Sequence, residues 1–414
     1  MRDLKKALRG NRALLFGMAL LTLGAGLQAT LLGVRATLEG LSTFATGAVL
    51  ASYYAGFVIG SIAAPTLVRR VGHIRVFAAL TAMAAATILL QGIYFGPWAW
   101  AVLRALSGVC FAGIYVVAES WLNDRADSTS RGVLLASYMV VVYVGLGAGQ
   151  FLLNLADPSG PTLFALIGIL ISLAVVPIAL TAQRAPDFAL PRRVSFRELL
   201  EISPLGAAGA LFTGATAGTL YTLGPVYAAR SGFDTGAVAT FMASAIMPAI
   251  ALQLPLGRLS DRVDRRTVLM AISIGAAVAA AIALQLGSAS PSLFVAVATY
   301  GGLSLTAYAV VLAHVNDHLH PTQMVAASAT VLLANGIGSA LGPVAVAAAM
   351  QLAGPGAFFG SVIVLHATFT LYAAWRKHRT DAVPPPEKAR FVSASPQVAP
   401  TGRLAAPEAK PGET

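Results

Sequence analysis

The sequence predicts an all-α membrane protein with twelve transmembrane helices in two pseudo-symmetric six-helix bundles, and three observations carry that prediction. Of 414 residues, 57% are apolar and only 11% charged, with a mean hydropathy of +0.74, where soluble domains carry about 25% charge. Twelve apolar stretches each approach or exceed the roughly 20 residues that a helix needs to cross a bilayer. The second six stretches repeat the first at a spacing of about 192 residues.

The first bundle is assigned to residues 1–182, with apolar stretches near 13–34, 43–68, 76–95, 97–122, 133–156 and 161–182. Its opening, MRDLKKALRGNR before an apolar run, has the look of a secretory signal peptide. A run of about 22 residues without a small-residue cleavage site reads instead as an uncleaved first span. Residues 183–202 hold the polar QRAPDFALPRR and read as a cytoplasmic linker. The second bundle, 203–376, has stretches near 203–229, 236–257, 268–287, 290–316, 323–352 and 354–375. Residues 377–414, rich in Pro, Ala and charge, read as a disordered cytoplasmic tail.

A net charge of +11 and a pI near 10.1 raise nucleic-acid binding as a possibility, and the placement of the charges excludes it. With both termini inside, 25 of the 28 Lys and Arg fall on cytoplasmic segments, Arg35 and Arg230 fall outside, and Arg104 lies within the fourth span. That is the bias by which positive loops are retained in the cytoplasm, so the expected location is a bacterial cytoplasmic (inner) membrane. The single cysteine, Cys110, has no partner for a disulfide or a Cys-rich metal site. No cofactor or metal is expected.

The internal repeat is specific. PTLVRRVGHIR (65–75) falls on GRLSDRVDRRT (257–267), pairing Leu67 with Leu259, Arg70 with Arg262 and Val71 with Val263. One residue further out of register, Tyr115 meets Tyr308, Asn123 meets Asn316, Asp124 meets Asp317, and Gly145 and Gly149 meet Gly338 and Gly342. Parallel six-helix halves of this kind place a solute site near the bilayer midplane.

These motifs resemble the major facilitator superfamily over the whole chain except its tail. Gly257 to Arg266 follows that family's loop signature G-x-L-x-D-R-x-G-R-R, with Asp264 at the second glycine. In the first half Pro65 and Arg69 depart from the signature, while Arg70, Gly72 and Arg75 keep it. Arg104 followed by Gly108 matches the family's fourth-helix pattern, and AESWLNDRADSTSRG with AHVNDHLHP is similar to the bacterial YcaD-like branch. The resemblance implies the major facilitator fold and a monomeric secondary transporter in which helices one, four, seven and ten line the solute path.

Arg104 comes roughly 9 Å inside the boundary marked by Trp98, at 1.5 Å per residue. A charge at that depth is costly unless it faces a cavity or partner, so it is a candidate for the solute path; an arginine tying helix carbonyls is the alternative. Gln28, Tyr115, Tyr221, Tyr300, Tyr308 and Asn335 are the other path candidates, although membrane tyrosines also serve as interface anchors. Tyr53, Tyr54, Tyr138, Tyr143 and Gln253 stand on neighbouring helices. Together they suit a small neutral or anionic organic solute, aromatic in character, rather than a bare metal ion.

For gating, Glu119 reads as a latch to Arg131 or Arg69, with proton binding as the alternative; Tyr115, Glu119, Arg131 and Gly132 are reminiscent of the sugar-porter signature. Asp261 with Arg262 and Arg265 reads as a second latch or an ordinary topogenic loop; in the first half Arg70 matches Arg262, and Arg69 stands at the place of Asp261 with the opposite charge. His314, near Asp317, reads as a proton shuttle or a structural imidazole. The first helix has no acidic residue, so proton coupling is left open. Glycines 145, 147, 149, 336, 338 and 342 mark close helix packing.

No cluster of nucleophiles, metal ligands or paired acids points to an enzyme, and no G-x-x-x-x-G-K-[ST] loop points to ATP. The expectation is transport of a small organic solute by alternating access. Uptake is favoured over efflux of a drug-like compound because the fifth helix lacks the exporters' Gly-Pro pair. A non-transporting sensor with the same fold is the remaining reading.

Overall fold

The computed structural model describes residues 10–125, 131–180, 195–287, 290–320, 323–379, 383–384, 388–389 and 391–395. The expected linker up to residue 194, the tail beyond 395 and the Arg131 side chain lie outside the described residues. Among those described, twelve long helices follow one another and strands are absent. They are α1 (Arg12–Leu38), α2 (Thr43–Val71), α3 (His73–Ile93), α4 (Pro97–Arg125), α5 (Arg131–Phe151) and α6 (Thr162–Ala179). A short helix, Phe196–Ile202, precedes α7 (Pro204–Arg230), α8 (Thr235–Arg262), α9 (Arg265–Leu286), α10 (Ser292–Asn316), α11 (Met324–Ala353) and α12 (Ala357–Lys377).

Eleven of the twelve are long and apolar enough to cross a membrane by composition alone, and α7 is the exception. Its sequence is rich in Gly, Ala and Thr, and nearly every residue from Leu205 to Ala228 is buried by protein rather than presented to lipid. Breaks occur where proline removes an amide donor and clashes with the preceding turn. Met247 interrupts α8 ahead of Pro248, and Val175 interrupts α6 ahead of Pro177.

Contacts between helices repeat in the two halves. Helix α1 packs on α5, α2 on α4, and α3 on α4 and α6; correspondingly α7 packs on α11, α8 on α10, and α9 on α10 and α12. Across the halves, α1 meets α7, while α2 meets α11 and α5 meets α8, two seams that the repeat exchanges. The glycines make these approaches possible. A side chain at Gly145 or Gly149 would strike Thr22 or Leu23 of α1, and one at Gly338 or Gly342 would strike Leu211 or Ala215 of α7. Gly147 and Gly336 point the other way, to Met247 and Val58 across the seams.

The bundle thus has a terminal face, where the start of α1, the end of α12 and the Phe196–Ile202 helix lie, and a far face. At the far face the halves are tied: the Thr43 amide donates to Gln351 Oε1 at 2.9 Å, Arg230 donates to the Leu41 carbonyl, and Gly33 lies under Pro225 and Val226. Helix α7 is buried almost throughout; of the eleven apolar spans α10 is the most buried at 78%, and α12 and α6 are the least at 33% and 39%. Centre and periphery are set by that difference.

Candidate functional site

A cavity of about 40 Å³ lies between the halves, lined by Gln28 of α1, Tyr53 and Tyr54 of α2, Arg104 and Tyr115 of α4, Gln150 of α5, and Tyr221 and Thr222 of α7. Arg104 is 8% exposed, and its guanidinium carbon sits 4.6 Å from the centre of the Tyr53 ring. It pairs with no carboxylate among the described residues, and its Nε lacks a hydrogen-bond partner there. The Gln28 amide nitrogen is likewise unpaired. A cation–π contact returns only about 2 kcal/mol when desolvated. Burying an unpaired charge costs several times that, so the Tyr53 ring does not by itself offset the burial of the charge.

The tyrosines divide. Tyr115 packs on Phe57 and Phe111 while lining the cavity, and Tyr221 lines its α7 wall. Tyr308 and Tyr138, like Tyr115, lie within electrostatic range of Glu119. Tyr300 stands outside the cavity, edge-on to His366 of α12 at 6.0 Å. Asn335 donates to Thr213 Oγ at 3.1 Å and to the Ala210 carbonyl, tying α11 to α7, and also borders a small gap beside Tyr53 and Tyr54.

Glu119 is fully buried, not at an exposed inner end. Arg69 and Arg70 are exposed at the end of α2 and pair with no carboxylate among the described residues, so a Glu119–Arg69 latch is not formed in this conformation.

The charges around Arg265 do come together. Its side chain is 1% exposed and donates to Asp317 Oδ2 at 2.7 Å and Ser260 Oγ at 2.7 Å, with Asp261 3.1 Å away. This joins the end of α8, the start of α9 and the end of α10. Arg262 points outward and takes no part. Asp264 caps α9 and pairs with Arg266 at 2.9 Å. Burial pushes its carboxyl up, but the Arg266 hydrogen bonds and charge outweigh it and hold it below the usual carboxylate range. A second cavity of about 460 Å³ opens here, lined by Arg265, Arg266, His314, Asp317, His318 and Arg376 among others. The His314 ring meets His318 at 4.7 Å.

Sequence reasoning missed Gln150, which bonds Thr30 and borders the Arg104 cavity, and His366, a fully buried imidazole whose nitrogens find no partner. Neither sits in a motif that marks it.

The model of the Major Facilitator Superfamily matches residues 14–252 and 208–407. The chain belongs to the Major Facilitator Superfamily. Within it, the uncharacterized MFS-type transporter YcaD of Escherichia fergusonii is 32% identical over 341 residues, covering 82% of this chain and 88% of the relative. YcaD of Escherichia coli K12 is 31% identical over 342 residues with the same coverage. Among solved structures, the nucleoside transporter NupG matches with a TM-score of 0.70 and 15% identity over 88% of this chain and 97% of that one. A bacterial homolog of the human lysosomal transporter Spinster, inward-facing and occupied, matches at 0.69 and 16% over 92% and 98%. These last likenesses establish the major facilitator fold. The chain is a multi-pass membrane protein of a transporter family.

Proposed function

We propose that this major facilitator protein carries a small organic anion, or a neutral solute with an electron-rich acceptor, bound between Arg104 and the aromatic walls of the central cavity. One observation carries the reading: a buried cation that pairs with no carboxylate among the described residues lies beside an unpaired Gln28 donor at the meeting of the two halves. A solute carboxylate or carbonyl supplies what both groups lack, and Tyr53, Tyr115 and Tyr221 offer faces to a ring.

Movement follows from the exchanged seams. Rocking about the α1–α7 contact parts α2 from α11 at one face while closing α5 on α8 toward the other, which is alternating access. Glu119, set among tyrosines of both halves, acts as a latch of the closed terminal side, and the Arg265–Asp317 cluster holds α8, α9 and α10 as one body. The charge bias supports the terminal face as cytoplasmic. The protein acts as a monomer, with uptake as its direction.

A thermal-stabilisation screen of the purified protein with aromatic carboxylates, nucleosides and flavins, followed by counterflow in liposomes, tests the reading. Arg104→Ala should weaken solute binding by about ten- to a hundredfold, a loss of one charge-assisted contact. Glu119→Gln should leave binding intact and slow exchange. If both variants exchange solute at the wild-type rate, the assignment of the path is wrong.

A further inference from the structure

Lys388, Ala389 and residues 391–395, from the segment whose composition reads as disordered, run along the seam between the halves at the terminal face. Their partners are side chains and carbonyls of α8, α9 and α10. Lys388 Nζ donates to the Val263 carbonyl at 2.6 Å. The Ala389 amide donates to Asp317 Oδ1 at 3.0 Å, and its carbonyl accepts from Arg265. The Phe391 amide donates to Asp261 Oδ1 at 3.2 Å, and its ring lies on Gly257, where any side chain would collide with it. Deeper in, Gln253 donates to the Ala394 carbonyl and accepts from Ser393 Oγ at 2.5 Å. Ala394 and Ser395 are 1% and 0% exposed. Ser395 lies close to the Tyr143 hydroxyl of α5, in the other half.

We propose that this segment is an intramolecular plug, which closes the terminal-face approach to the Arg104 cavity and is withdrawn for transport. A strip with its backbone groups bonded to buried side chains is docked, not resting on the surface. It wedges the α5–α8 seam, and it uses both carboxylates of the Arg265 cluster, so the bundles cannot close on that side while it is in place. Tethering strengthens the contact. The chain leaves α12 only about ten residues earlier, which gives an effective concentration of order mM, enough for individually weak hydrogen bonds to hold the plug and release it. As a transport brake it rests on the proposed solute path; as a barrier to access it does not.

The test reads access rather than transport. In a Cys110→Ala background, Thr222→Cys places a thiol on the cavity wall, and its modification by the anionic reagent sulfonatoethyl methanethiosulfonate is followed in detergent. Ending the chain after Arg379 should speed modification at least about tenfold, the change expected when a state populated about ten to one is removed. Phe391→Ala with Ser393→Ala should give a smaller increase in the full-length chain and carries the test if the shortened chain does not fold. Equal rates in full-length and folded variant protein overturn the proposal. So does an Ala394→Cys thiol in the full-length chain that reacts as fast as in SDS.

Discussion

Arg104 and Tyr53 form the one close cation–ring pair in the central cavity, 4.6 Å apart, with the ring on α2 and the charge on α4. The ring holds the guanidinium in place without neutralising it, which leaves the charge available to an incoming solute.

The first prediction follows from that imbalance. Arg104→Met should abolish solute stabilisation in the thermal screen and yet raise the stability of the empty protein by about 1–3 kcal/mol, because a buried unpaired charge is replaced by an apolar chain of similar reach. A variant less stable than wild type would mean that Arg104 is structural.

Asp317 and Asp261 both face Arg265, and burial ranks them. The Asp317 side chain is 2% exposed and that of Asp261 is 37%. Asp317→Asn should cost about 3 kcal/mol and Asp261→Asn about 1 kcal/mol or less in SDS or thermal unfolding. The opposite order would show that the cluster is organised around α8 alone.

Asp264 gives a pH-dependent prediction. Its folded carboxyl is held below the usual range, so its contribution is present above the unfolded carboxylate pKa of about 3.9 and is lost as pH falls through the folded one. Asn keeps the cap on α9 but removes the charge. Asp264→Asn should therefore lower stability at pH 7, by less than about 1 kcal/mol given solvent screening, and approach wild type as pH falls below the unfolded carboxylate pKa of about 3.9 and through the folded one. A difference in melting temperature that is constant from pH 7 to pH 3 would contradict this.

Gly72 and Asp264 occupy equivalent places in the repeat, and their backbones explain why one half keeps glycine. Gly72 has φ of +87° at the corner between α2 and α3, while Asp264 has φ of −51° and caps α9 with its side chain. Gly72→Ala should cost about 1 kcal/mol or more, and Asp264→Gly should cost only a few tenths more than Asp264→Asn, through the lost cap. Comparable costs in chemical unfolding would falsify the backbone account.

Spans, bundle order and the burial of Arg104 beside a cavity were legible because the bilayer imposes them: each crossing needs its apolar length, and a lone charge in such a run has few tolerable surroundings. Tyr300 was misjudged for a geometric reason. On a helix each residue turns by about 100°, so the uncertain start of α10 leaves open which tyrosines face inward. Arg265 and Asp317 were both singled out but not joined, since they are 52 positions apart and only the packing of α9 on α10 brings them together. The docked tail was illegible because most of its contacts use backbone amides and carbonyls, with single side chains of Lys388, Phe391 and Ser393, which leave the same composition as a free segment.

Helix α7 has a biosynthetic consequence. It lacks the apolarity that lets a nascent segment partition into lipid on its own, so its entry depends on α11 and the rest of the second half to shield its Gly and Thr surface. A chain arrested before α11 is therefore expected to show α7 inserted in a smaller share of molecules than the full chain, which protease protection of a tag in the α7–α8 loop would read.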